Sequence, residues 1–221
     1  MLDDLRANGF ALVPGFVDRD AAEELRGLYD DDALFRKRIV MQRHAYGRGE
    51  YKYFANPLPP RVQALREDLY GSLVGLANEW MHALKAPATF PQTHQQFLHD
   101  CFESEQKRPT ALLLKYEAGD FNCLHQDIYG PVAFPFQATV YLSRPGDEFR
   151  GGEVVLTEQR PRAQSRAYAL APQQGDLLVL PSRLAPRTGT NGAYRVAFRH
   201  GVSTVTWGTR FALGIIFHDA L

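Results

Sequence analysis

The chain has 221 residues, 45% of them hydrophobic, enough to bury most of its apolar surface as one structural domain without disulfide help. Its 25 Lys and Arg balance 25 Asp and Glu. Residues 128–221 carry a small surplus of arginine over acid, too little for the broad basic face of a nucleic-acid binder. No stretch of about eighteen apolar residues is present, and Met1-Leu2-Asp3-Asp4 lacks the basic and apolar regions of a secretion signal. A cytoplasmic protein with no membrane partner is expected, with Cys101 and Cys123 as reduced thiols, Cys123 most simply as a buried small residue.

Gly9-Phe10-Ala11-Leu12-Val13-Pro14 reads as a short strand, and Asp18 can cap a helix running to about Tyr29. A basic and aromatic stretch with no clear period follows. Residues 61–84 give the clearest helical signal, because Val62, Leu65, Leu69, Leu73, Leu76, Trp80 and Leu84 recur at three and four, between Pro59-Pro60 and Pro87. Phe97, Leu98, Cys101 and Phe102 fit a further helix.

From Thr110 the pattern changes to short apolar runs separated by Gly, Pro and Asp, too closely spaced for intervening helices. Strands are expected at about 111–117, 121–127, 134–143, 152–157, 166–171, 176–181, 194–204 and 210–218. Eight strands permit two facing four-stranded sheets. The expected fold is therefore mainly β with flanking helices, a double-stranded β-helix of jelly-roll, cupin-like type with a cavity open at one end. Residues 1–109 would form a helical and strand extension packed on a core at 110–221.

His125, Asp127 and His200 are the candidate metal ligands. In a strand over 121–127, alternation puts His125 and Asp127 on one face, and Tyr194, Val196, Phe198 and His200 share one side of a later strand. Two imidazoles and one carboxylate make a facial set that holds non-haem Fe(II) and leaves coordination positions open. Arg210 heads the apolar run Phe211 to Phe217, and Ala212 and Gly214 share its parity, so small side chains leave room beside a guanidinium fit for a dicarboxylate.

Leu114-Lys115-Tyr116-Glu117-Ala118-Gly119, Leu124-His125-Gln126-Asp127, Gly151-Gly152-Glu153 and His200 with Arg210 after it resemble the 2-oxoglutarate and Fe(II) dependent oxygenases. The tyrosine, glycine and HQD stretch is similar to the AlkB nucleic-acid demethylases. The GGE and the short His to Arg interval look like the prolyl hydroxylases. Over about residues 50–221 the text resembles a bacterial oxygenase family described as acting on alkylated DNA. The resemblance implies that His125, Asp127 and His200 bind iron, that Arg210 holds the distal carboxylate of 2-oxoglutarate and that Tyr116 hydrogen-bonds the same cosubstrate. It also implies O2 as second cosubstrate, ascorbate as a stimulant, and hydroxylation of a C–H bond with release of succinate and CO2. On a methylated base this is oxidative demethylation; on a proline-containing peptide or small molecule the hydroxyl stays. The second arginine that AlkB demethylases carry six residues after the first is here Ile216.

Other readings stand beside these. A cupin-like barrel can bind metal or ligand without turnover. Tyr46, Tyr51, Tyr53 and Phe54 can form a partner or dimer surface, or simply core. Arg160, Arg162 and Arg166 can line a substrate mouth or belong to a solvated loop. Gly151-Gly152 reads as a tight strand entry, and Tyr116 can be a core aromatic with a satisfied hydroxyl. His44, His82, His94, His99 and His218 have no partner at ligand spacing and are expected to be solvated or hydrogen-bonded inside.

Overall fold

The structure, a computed structural model, describes residues 1–190 and 192–221. The chain opens with α1 (Leu2–Asn8), β1 (Ala11–Val13) and α2 (Arg19–Gly27). Asp18 caps α2, its carboxylate accepting the Ala21 amide at 2.8 Å, which satisfies one of the free N–H groups of the first turn. The basic and aromatic stretch that showed no period contains three strands, β2 (Phe35–Val40), β3 (Gly47–Arg48) and β4 (Glu50–Phe54). A register shift between Phe35 and Lys37 and a 3-10 turn at Met41–His44 interrupt the alternation, so no clean period-two signal survives there. α3 (Pro60–Ala83) and α4 (His94–Glu103) follow.

The remaining strands are β5 (Leu112–Glu117), β6 (Phe121–His125), β7 (Phe136–Tyr141), β8 (Phe149–Gly151), β9 (Val154–Gln159), β10 (Arg166–Leu170), β11 (Leu177–Pro181), β12 (Leu184–Gly189), β13 (Gly192–Val202) and β14 (Val205–Ile216). The row β11-β7-β14-β5 belongs to one sheet and β10-β9-β13-β6 to the other, with every pair antiparallel. These are the eight expected strands, four to a sheet, and they form the double-stranded β-helix. The sheets are wider than expected: β1 extends one end of the larger sheet, β4 and β2 the other, and β3 flanks β6. β12 was not foreseen. It contains Pro186 and, among the described residues, pairs only with β13, the edge setting in which a strand tolerates proline.

The larger sheet buries both faces. Phe136, Ala138 and Val140 of β7 and Phe211, Leu213 and Ile215 of β14 join the core built on α3, where Trp80 meets Phe136 at 4.4 Å between ring centres. Residues of the opposite parity turn inward between the sheets. Arg66 of α3 fixes the end of β14, donating to the Ile216 carbonyl at 2.9 Å, the Phe217 carbonyl at 3.0 Å and Asp219 Oδ1 at 2.7 Å. This long helix thus braces the outside of the sheet through apolar packing and one buried ion pair.

Candidate active site

The inward faces enclose a cavity of about 670 Å³. Its floor is the larger sheet. Arg210, Ala212, Gly214 and Ile216 of β14 face it, flanked by Leu112, Leu114 and Tyr116 of β5 and by Gln137, Thr139 and Tyr141 of β7. Cross-strand register pairs Arg210 with Tyr116, Ala212 with Leu114 and Tyr141, and Ile216 with Gln137. The small side chains at 212 and 214 leave the middle of the floor low, as their shared parity with Arg210 led one to expect.

His125 ends β6 and His200 lies opposite it on β13 as its direct cross-strand partner. Their ring centres are 4.2 Å apart. Asp127 does not lie on the strand, as was expected for 121–127; β6 stops at His125. Beyond it the Gln126 side chain donates to the Phe198 carbonyl at 2.8 Å, and this tie turns the following loop back over β13. Asp127 reaches the two imidazoles from that loop, with Oδ2 at 3.2 Å from His200 Nε2 and Oδ1 at 3.7 Å from His125 Nε2. One ligand atom from each of His125, Asp127 and His200 lies within 4.8 Å of the others. Two imidazole nitrogens and a carboxylate oxygen at this separation fit a divalent transition ion.

Hydrogen bonding orders the triad further. His125 Nδ1 is 2.8 Å from the Cys123 carbonyl, and the Tyr129 hydroxyl donates to Asp127 Oδ1 at 2.6 Å. Burial works to raise the Asp127 pKa, but the bond and charge of His200, the charge of His125 and the Tyr129 hydroxyl outweigh it, holding the carboxyl well below its usual range. Burial, then the neighbouring His200, lowers the pKa of His125. Both shifts favour the ligating forms, a neutral imidazole and a carboxylate.

Arg210 lies within β14, not at its head. Its guanidinium is 3% exposed and forms no ion pair with the described residues; it stands 5.5 Å from the Tyr116 ring centre and 5.3 Å from that of Tyr141. A buried cation without a carboxylate is costly, and a dicarboxylate reaching along the floor would neutralise it. Tyr116 is fully buried, its pKa pushed up to about 12 by burial against the opposing charge of Arg210, so it keeps its proton as a donor. A Cβ added to Gly152, which has φ +68°, would stand 3.0 Å from Arg210 Cδ. Gly152 therefore gives Arg210 room, whereas Gly151 lies against the Thr204 and Thr206 backbone.

Several lining residues had not been singled out. Gln137, Thr139 and Tyr141 were legible as the polar alternates of Phe136, Ala138 and Val140. Tyr129 lies in a loop without periodicity and gave no signal. Tyr51 and Tyr53 line the cavity, whereas Phe54 enters the core. Cys123 is exposed at the cavity rim, contrary to the expectation of burial; the two-residue strand β3 is all that flanks β6 there. Arg160 pairs with Glu158, and none of Arg160, Arg162 and Arg166 lines the cavity. His94 and His218 are buried and hydrogen-bonded, whereas His82 and His99 are exposed.

Comparison with known proteins agrees with this arrangement. A prolyl-4-hydroxylase from Pseudomonas putida superposes with a TM-score of 0.58 at 15% identity, over 96% of this chain and 94% of that one. An oxidoreductase of the 2OG-Fe(II) oxygenase family from Burkholderia pseudomallei gives 0.55 at 17% identity, over 99% and 89%. At these identities the likeness is one of fold. Uncharacterized protein Rv2227 of Mycobacterium tuberculosis is 40% identical over 200 residues, 88% of this chain and 86% of its own. Residues 49–220 match the family described as "Oxygenase, catalysing oxidative methylation of damaged DNA". The chain belongs to that oxygenase family.

Proposed function

We propose that the protein oxidises a methyl group on a nucleic-acid base, with Fe(II) held by His125, Asp127 and His200 and the distal carboxylate of 2-oxoglutarate held by Arg210 beside Tyr116. The observation that carries this assignment is the presence, in one cavity, of the His-Asp-His cluster and a buried arginine that forms no ion pair among the described residues. Iron with 2-oxoglutarate supplies the power to use O2 for C–H hydroxylation, giving succinate and CO2. The chain's own groups supply placement. The β14 floor accommodates the cosubstrate, Tyr116 donates a hydroxyl beside Arg210, and Leu112, Leu114 and Ile216 keep water from the space between. An N-methyl carbon that gains a hydroxyl breaks its C–N bond, the carbon and its oxygen leaving as formaldehyde and the hydroxyl proton ending on the nitrogen.

The family's description supports the choice of substrate, as does the rim. Residues 35–49 contain Arg36, Lys37, Arg38, Arg43 and Arg48 and no acid. Lys37, His44 and Tyr46 from this segment line the cavity, and Lys37, Arg43 and Arg48 are exposed without ion pairs among the described residues. Unpaired cations beside an exposed aromatic suit phosphates and a base that leaves its stack.

The test is to supply Fe(II), 2-oxoglutarate and either methylated single-stranded oligonucleotides or proline-containing peptides, measuring succinate, formaldehyde and substrate mass. Formaldehyde from the oligonucleotide, abolished in Asp127→Ala and His200→Ala, is the expected result. A sixteen-dalton gain on a peptide with an unreacted oligonucleotide would move the substrate to the hydroxylase class. Failure to convert 2-oxoglutarate under every condition would leave a ligand-binding barrel.

A further inference from the structure

The charges around the cavity bear on the kind of ring it admits. Among the described residues that line it, Asp127 is the one carboxylate, against the cations Lys37 and Arg210. Asp127 is already engaged: Oδ1 accepts from the Tyr129 hydroxyl at 2.6 Å and Oδ2 lies 3.2 Å from His200 Nε2.

Beside the His-Asp-His cluster the wall forms a cup of Ile39, Tyr53, Leu112 and Ile216, with Tyr51 and Tyr129 packed against it. All six line the cavity, and the Tyr129 hydroxyl joins the cup to Asp127. A flat ring with its methyl turned to the cluster rests here, out of water. Aromatic faces attract a cation, yet several of these already serve the protein's own. The Arg36 guanidinium stands 4.6 Å from the Tyr53 ring centre; it donates to the Pro109 carbonyl at 3.0 and 2.8 Å and forms no ion pair among the described residues. The rings of Tyr51 and Tyr53 cross at 88° with centres 5.3 Å apart, and Tyr116 and Tyr141 stand beside Arg210.

A positively charged ring in the cup would therefore lose its water near Arg36 and Lys37 with no acid to pair with, and an unpaired buried charge is strongly unfavourable. A backbone phosphate at Lys37 would answer that charge and leave the ring's own without a partner. A neutral ring carries no such penalty, and the Tyr51 and Tyr53 hydroxyls are donors for carbonyl oxygens at its edge. Methylation divides the bases on this point. At N1 of adenine or N3 of cytosine it leaves the ring positive; at N3 of thymine or N1 of guanine it replaces an N–H and leaves a neutral lactam. Resting on the reading of the substrate as a methylated nucleic-acid base, we infer that the cavity selects neutral N-methyl lactam bases over cationic ones.

The test supplies wild-type protein, Fe(II) and 2-oxoglutarate with a mixture of single-stranded oligonucleotides that differ at one position, where they carry 3-methylthymine, 1-methylguanine, 1-methyladenine or 3-methylcytosine. Mass analysis of the mixture gives ratios of kcat/KM, in which effects of pH on the protein itself cancel. The lactam bases should be demethylated about tenfold or more in preference to the cationic ones. That preference should narrow as the pH is raised until 1-methyladenine and 3-methylcytosine shed a proton and become neutral. Lys37→Glu, which exchanges a cation on the exposed rim for an acid, should shift the neutral-pH ratio towards the cationic bases. Cationic bases demethylated as fast as the lactams, or a preference that neither pH nor Lys37→Glu moves, overturns the inference and leaves the nucleic-acid reading standing. Demethylation of none of the four overturns both.

Discussion

The Tyr129 hydroxyl donates to Asp127 Oδ1 at 2.6 Å, which leaves Oδ2 as the oxygen nearer His200 Nε2 at 3.2 Å. Oδ1, the oxygen nearer His125 Nε2, is thus bonded by Tyr129 while Oδ2 is directed at His200, an arrangement that fixes the carboxylate in its loop. Tyr129→Phe keeps the ring and removes the bond. Metal affinity should fall about tenfold or more, with the melting temperature of the metal-free protein nearly unchanged. Chelator competition and calorimetry on the same preparation check this; equal affinities would show that the loop alone orients Asp127.

Arg210 should trade stability for binding. Its buried guanidinium forms no ion pair among the described residues, so Arg210→Met should raise the melting temperature in the absence of ligand while weakening 2-oxoglutarate binding at least tenfold, the loss of a charge-assisted contact. Thermal scans with and without 2-oxoglutarate measure both at once. A variant that still gains stability from 2-oxoglutarate as wild type does would remove Arg210 from that role.

Gly152→Ala tests the same end of the cavity from behind. The added methyl would press on Arg210 Cδ at 3.0 Å and on Val205 Cγ2 at 2.9 Å, at a residue with φ +68°. Weaker 2-oxoglutarate binding with unaltered Co(II) affinity is expected, because the His-Asp-His cluster does not touch this glycine. Titration of each ligand separately shows whether the two effects divide.

Two buried histidines give the fold an acid limit. Burial, then the charge of Arg66, pushes the His94 pKa down to about 3 and that of His218 to about 4, against 6.5 for a free imidazole. The unfolded chain binds these protons at higher pH than the folded one. Stability is therefore fully present above about pH 6.5 and declines as pH falls towards 4 and 3, by up to about 1.4 kcal/mol per pH unit for each group. His94→Gln should flatten part of that slope in denaturant titrations at pH 7, 6, 5 and 4. An unchanged slope would assign the acid sensitivity elsewhere.

Arg66 and Asp219 form a buried pair at 2.7 Å. Removing one partner leaves the other charged and dry, so Arg66→Met should destabilise by about 3–5 kcal/mol. Urea unfolding measures it, and a loss below about 1 kcal/mol would mean that Asp219 finds water instead.

The sequence alone determined the β-helix core and which residues are candidates for the site. Alternation at 112–117, 136–141 and 205–216 follows from a sheet with two buried faces of different character, and His125, Asp127, His200 and Arg210 stood out by residue type and interval. Only the tertiary structure decided how they meet. Asp127 lies beyond the end of β6, where the Gln126 side chain bonds across to the Phe198 carbonyl 72 residues away in the chain. Likewise Tyr141 has an ordinary local context and acquires its significance from Arg210 on the neighbouring strand, while Tyr129 serves Asp127 two residues away in the same loop. Periodicity records which face a residue takes; packing of one sheet on the other sets what it faces.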